Sequence, residues 1–246
     1  MISPVRKIDL IHADVLVGLK KLKSASVHCV ITSIPYWGLR DYEGHPGQLG
    51  KEETIQKFLK NIVEVFDEVR RVLHPSGTLW INVGDSYNSD RTRGTYGDQS
   101  KMGYQDHGVK RNVVKGMHKK NLLGQPWRVA FALQEASWIL RDEIIWAKPN
   151  PMPYSGTDRT TKAHEALFMF AKSTRYFYDW KNLEEISVDA KSLRRCRSVW
   201  TIATEHFSQH HATFPKELVL PCIYAGTSPQ VCEKCLKPFN RVLQKN

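Results

Sequence analysis

The most constraining feature of this chain is a strand–helix–strand pattern between residues 27 and 83. Val27-His28-Cys29-Val30-Ile31-Thr32-Ser33 is a short β-branched run that suits a buried strand. From Lys51 to Leu73, the apolar residues Ile55, Phe58, Leu59, Ile62, Val65, Phe66, Val69, Val72 and Leu73 recur at helical spacing, which predicts one core-facing stripe. His74-Pro75-Ser76-Gly77 stops that helix, and Thr78 to Val83 reads as a second buried strand. Two such strands joined by one helix make the crossover unit of a parallel sheet, so the fold class is α/β. The same alternation continues with a helix from Gln125 to about Leu140 and strands at 142–147 and 166–171. At the other end, 7–12 reads as a strand and 15–22 as a short helix.

In an open parallel sheet, ligands sit just beyond the carboxyl ends of the strands. The first strand ends in Ser33-Ile34-Pro35-Tyr36-Trp37, which delivers a hydroxyl, a carbonyl and two aromatic rings to that edge. This set suits an exocyclic amine on a nucleobase. Such an amine is a poor nucleophile, because its lone pair is delocalised into the ring. Two acceptors for its hydrogens draw the nitrogen toward tetrahedral geometry and stabilise the positive charge that develops on it. The Ser33 hydroxyl and the Ile34 carbonyl are the candidates, and Pro35 restricts Ile34 to an extended conformation that aims the carbonyl. Tyr36 offers a face for a base that has left the helix. The plain alternative for the four residues alone is a strand followed by a proline turn.

Charge narrows the partner. There are 36 Lys plus Arg against 25 Asp plus Glu, a net charge of +11, which favours polyanions and nucleic acid first. Residues 89–121 are polar, glycine-rich and nearly free of aliphatics. They carry Arg91, Arg93, Lys110, Arg111, Lys115, Lys119 and Lys120 among Tyr96 and Tyr104. Such a basic, aromatic insert suits a phosphate backbone and displaced bases; a solvated insert is the other reading. Lys148 either binds phosphate or lines the pocket. At 246 residues and 41% hydrophobic content the chain reads as one domain with a small appendage. No run suggests a signal peptide or membrane span, and the five cysteines do not read as a disulfide framework, so a cytoplasmic location is expected.

Thr32-Ser33-Ile34-Pro35-Tyr36-Trp37 resembles the Ser-Pro-Pro-Tyr/Trp motif of the amino-directed DNA methyltransferases, which modify cytosine N4 or adenine N6. The stretches 77–85, 143–153, 164–170 and 211–215 are similar to further blocks of that family, in its order, so the resemblance runs from about residue 8 to 228. It implies a Rossmann-like, circularly permuted sheet, with a catalytic domain over 1–228 and a tail over 229–246. It also implies base flipping and methyl transfer from S-adenosylmethionine, with Ser33, Ile34, Pro35 and Tyr36 catalytic. Serine at the first motif position leans toward cytosine N4. The resemblance further assigns Asp14, Thr32, His211, Phe214 and Pro215 to the cofactor. For Asp14, a helix N-cap remains an equal reading from the residue itself.

The pattern is departed from in two places. Ile34 stands where the family usually has proline, which adds an N–H and loosens the backbone. After 226–228 the family continues into a strand with a glycine turn for the cofactor, and this chain has Cys232-Glu233-Lys234-Cys235 instead. The sheet is therefore expected to be incomplete at its C-terminal side, with an apolar edge beside the Ser33 strand. A partner chain or homodimer completing the sheet, a remnant that only binds DNA, or an interrupted reading frame would each account for it. Cys232 and Cys235 are half of a zinc site, since a structural zinc needs four ligands, and an unmetallated pair is the preferred reading.

Overall fold

The computed structural model describes residues 8–39, 47–89, 113–186, 192–205 and 214–240. The strands are β1 Val27–Ser33, β2 Leu73–Val83, β3 Ile139–Ala147, β4 His164–Ala171, β5 Glu184–Ile186, β6 Leu193–Arg195 and β7 Val199–Thr201. The helices are α1 Val15–Lys20, α2 Ile55–Val72, α3 Gln125–Glu135 and α4 Lys216–Gly226. The central sheet has the order β1-β2-β4-β3-β7, and β5 and β6 form a separate hairpin. β1 and β2 are parallel, as the strand–helix–strand pattern requires, while β4 runs antiparallel to both β2 and β3.

Period-two alternation assigns the two faces of the sheet. Leu79, Ile81 and Val83 of β2 and Phe168 and Phe170 of β4 pack with α2 and α3. Trp80 of β2 and Leu167 and Met169 of β4 pack with Leu218, Cys222 and Ala225 of α4. The α2 stripe is core: Phe58, Ile62, Phe66 and Val72 are each at most 2% exposed. The helix begins at Ile55 rather than Lys51, because the Thr54 hydroxyl accepts from the Lys57 N–H and caps it. α3 stops at Glu135, short of Leu140, because Ser137 takes a left-handed φ of 69° and turns the chain into β3.

One expectation at the N-terminal side is corrected. Residues 8–12 form no strand, and Ile8 and Leu10 are 90% and 93% exposed. An alternating pattern becomes a strand only beside a partner, and β1 lies at the end of the sheet with no described strand beyond it. Asp14 is the N-cap of α1: its Oδ1 accepts from the backbone N–H of Leu16 and Val17 at 3.0 and 3.3 Å. Replacing Asp14 by alanine is expected to lower stability by about 1 kcal/mol, read as a shifted urea midpoint. An unchanged midpoint would mean that α1 is held by its packing on α2 alone.

Candidate active site

The carboxyl ends of β1, β2 and β3 and the start of the antiparallel β4 meet at one edge of the sheet. Register does the rest. Ser33 is the pairing partner of Asn82, and its hydroxyl donates to Asn82 Oδ1 at 3.1 Å. Asn82, 3% exposed, donates through Nδ2 to Glu165 Oε2 at 3.1 Å and to the Ala166 carbonyl at 3.2 Å. Glu165 also accepts from the Tyr36 hydroxyl at 2.9 Å and pairs with the Lys148 ammonium. The Lys148 ammonium lies 4.2 Å from the centroid of the Trp146 ring. Burial first, then the Glu165 charge and hydrogen bond, push the Tyr36 phenol well above its ordinary range, so it stays protonated and donates. Burial pulls the Lys162 ammonium down, opposed by Asp85 and Glu165 nearby.

The turn after Ser33 is fixed by buried contacts. Ile34 is 6% exposed in the core on the α2 side, so apolar burial offsets the freedom gained where a proline is usual. Gln125, 1% exposed at the start of α3, accepts from the Trp37 N–H and donates to the Trp37 carbonyl and the Ser86 hydroxyl. The Trp37 indole N–H donates to the Glu52 carbonyl at 2.7 Å. Gly50 has a φ of +91°, and an added Cβ there would meet the Tyr36 carbonyl at 3.1 Å. The Tyr36 ring lies so close over Gly84 that a Cβ at 84 would sit 2.6 Å from it. Asp85 accepts from the Gly124 and Gln125 N–H groups and so joins the end of β2 to the start of α3.

Of the expected cofactor residues, Thr32 and Phe214 line one shallow crevice with Ile31, Asn82, Leu167 and Leu218. Pro215 is the buried residue that precedes α4. His211 lies outside the described residues, as do Arg91, Arg93, Lys110 and Arg111. Lys115, Lys119 and Lys120 are exposed at the end of the insert. That end is built on Asn88, whose side chain donates to the Met117 carbonyl and accepts from the Val114 N–H. The Lys148 side chain is 16% exposed and paired with Glu165, which places it beside Tyr36 and Asn82 at the strand ends.

Three residues were missed. Asn82 and Glu165 carry the network, and the only signal for them was a polar residue inside or beside an apolar strand run. Arg159 lies 4.2 Å over Tyr87 and 3.7 Å over Tyr154, a cation flanked by aromatic rings near the Lys120–Asp158 pair.

The cysteine pair lies at the opposite end of β1. The Cys235 and Lys234 backbone N–H groups, then the Cys235 thiol, pull the Cys232 thiol below its ordinary range. The turn is seated on two stacked histidines: His28 Nε2 donates to the Leu236 carbonyl at 2.7 Å, and His74 bonds the Cys235 backbone. Among the described residues, no group of three or more His, Cys, Asp or Glu could hold a metal ion.

The profile of a family described as DNA methylase, covering N6 and N4 enzymes, matches residues 27–236. The chain is 48% identical over 236 residues to the Type II methyltransferase M.XycI of Xanthomonas campestris pv. cyanopsidis, covering 96% of this chain and 77% of the relative. It is 47% identical to the Type II methyltransferase M.Cfr9I of Citrobacter freundii, covering 94% of this chain and 75% of the relative. The fold is similar to the PvuII cytosine-N4-specific DNA methyltransferase, with a TM-score of 0.60 and 17% identity over 88% of this chain and 69% of that one. It is also similar to a putative DNA modification methylase from Thermus thermophilus complexed with S-adenosyl-L-methionine, with a TM-score of 0.55 and 24% identity over 87% of this chain and 73% of that one. The chain therefore belongs to the N6/N4 DNA methylase family and is a DNA methyltransferase.

Proposed function

We propose that the chain transfers a methyl group from S-adenosylmethionine to the exocyclic amine of a base extruded from duplex DNA, cytosine N4 in preference to adenine N6. The observation that carries this reading is the Ser33 hydroxyl at the strand edge, already donating to Asn82 at 3.1 Å. Its oxygen lone pairs are then available to the hydrogens of an amine. Ile34 supplies the second acceptor through its backbone carbonyl, and the wedged Tyr36 ring forms a wall against the base.

The cofactor fits the residues present in kind. Thr32 borders one narrow crevice beside Asn82, to which Phe214, Leu218 and Leu167 bring apolar surface. Thr32, Phe214 and Pro215 would hold the methionine end. When bound, S-adenosylmethionine supplies an electrophilic methyl group on a sulfonium. The chain's own residues then act by holding the amine in line for direct attack, which supplies much of the acceleration without a covalent enzyme intermediate. Lys115, Lys119, Lys120 and Arg159 offer cations for the DNA backbone, with Arg91, Arg93, Lys110 and Arg111 as further contacts.

The test is methyl transfer from labelled S-adenosylmethionine to duplex DNA by the purified chain, followed by nucleoside analysis. Labelled N4-methyldeoxycytidine is the expected product. N6-methyladenine would keep the reaction and overturn the base preference. DNA binding without labelled product would favour a chain that only binds DNA.

A further inference from the structure

The serine acceptor raises a question of polarity. A hydroxyl both donates and accepts, and a Ser33 proton aimed at the incoming amine would occupy the lone pair that must attack. Something must turn that proton away. The groups around Asn82 do so. Its Nδ2 faces Glu165 Oε2 at 3.1 Å and the Ala166 carbonyl at 3.2 Å, and both are acceptors. Turning the amide over would set Oδ1 against two oxygens inside a buried site. Oδ1 is thus left facing Ser33, where it accepts the hydroxyl proton at 3.1 Å.

Glu165 sets this direction because it is held as an acceptor from both sides. The Lys148 ammonium occupies Oε1, and the Tyr36 hydroxyl reaches Oε2 at 2.9 Å together with Asn82. We propose that Asn82 and Glu165 are positioning residues that fix the Ser33 hydroxyl as a proton acceptor toward the substrate amine. The inference rests on the methyl-transfer reading above. It assigns no substrate contact to either residue: Asn82 acts through Ser33, and Glu165 acts through Asn82.

Glu165→Gln tests the direction with almost no change of shape. Lys148 still demands an oxygen at the Oε1 position, so the new amide nitrogen takes the place of Oε2. It then confronts Asn82 Nδ2 and leaves the Ala166 carbonyl as the one acceptor that still holds the amide, so Asn82 populates the turned-over orientation that donates to Ser33. The Ser33 proton is thereby released toward the amine. The expected result is a fall in kcat of roughly tenfold to a hundredfold, less than the loss of a group that touches the substrate, with KM for DNA unchanged. Asn82→Leu should do the same. In a Ser33→Ala background both changes should cost little more, because the group they orient is gone. Equal penalties in the two backgrounds, or an effect on KM alone, would overturn the proposal.

A second readout does not depend on turnover. In 15N spectra the Asn82 carboxamide protons should be moved by Glu165→Gln and left nearly in place by Ser33→Ala. The opposite pattern would put Nδ2 against Ser33 and defeat the proposed polarity. An inactive parent chain would count against the methyl-transfer reading, and the carboxamide protons would still decide the orientation.

Discussion

Replacing Ser33 by alanine is expected to lower the methyl-transfer rate by roughly 10²- to 10³-fold, the range for removing one preorganised partner of a developing charge. Positive charge grows on the amine as it attacks, so an acceptor at its hydrogens is worth most in the transition state. The effect should fall on kcat, with cofactor and DNA binding within about twofold of the parent. Ser33 is half-buried at the end of β1, and its hydroxyl donates to Asn82 at 3.1 Å. Its loss should therefore cost stability only modestly, about 1 kcal/mol. Single-turnover methylation with tritiated cofactor, beside a thermal melt, separates the two quantities. A rate within threefold of the parent would mean that the Ile34 carbonyl carries the amine without Ser33.

Replacing Gly84 by alanine should be costly for a different reason. Its backbone is not in the left-handed region, so the glycine is required by space alone. A Cβ at this position would stand 2.6, 2.8 and 2.9 Å from Cε2, Cζ and the hydroxyl oxygen of Tyr36. The ring cannot keep its seat. Displacing it breaks the bond to Glu165 and moves the residue that follows Pro35. Overpacking at such a site costs about 1–3 kcal/mol. A shift near 1 Å in the positioning groups can cost on the order of 100-fold in rate. Both losses are expected together, measured by denaturant unfolding and by initial methylation rates. A variant with full activity would show that the Tyr36 ring has room to move without disturbing Ser33.

Local signals in the sequence were enough for the α2 stripe, for β1 and for the turn that follows it. Phe58, Ile62 and Phe66 recur at helical spacing and are buried where that spacing puts them. The same kind of reading failed for residues 8–12. Ile8 and Leu10 alternate as strand residues do, yet alternation describes a surface and does not provide the neighbour that pairs with it. β7 escaped notice because Val199–Thr201 is three residues long and gains its identity from lying beside β3. The place of Ser33 at a strand end was legible because strand and turn residues sit in one stretch. Asn82 and Glu165 were not, because their roles depend on a register that brings residue 33 beside 82 and residue 82 beside 165. The partner of Lys148 was hidden on the same ground: it lies 17 residues on, across a strand pair.

The strand order β1-β2-β4-β3 has a kinetic consequence. β4 follows β3 in the chain but lies between β2 and β3 in the sheet. Until β4 inserts, β2 and β3 lack the strand that joins them, and the long-range pairing needed is slow compared with forming α2. Glu165, the second residue of β4, arrives only with that insertion. On refolding from denaturant, helix content should return first, and methylating activity should reappear in the same phase as sheet closure, because one strand completes both.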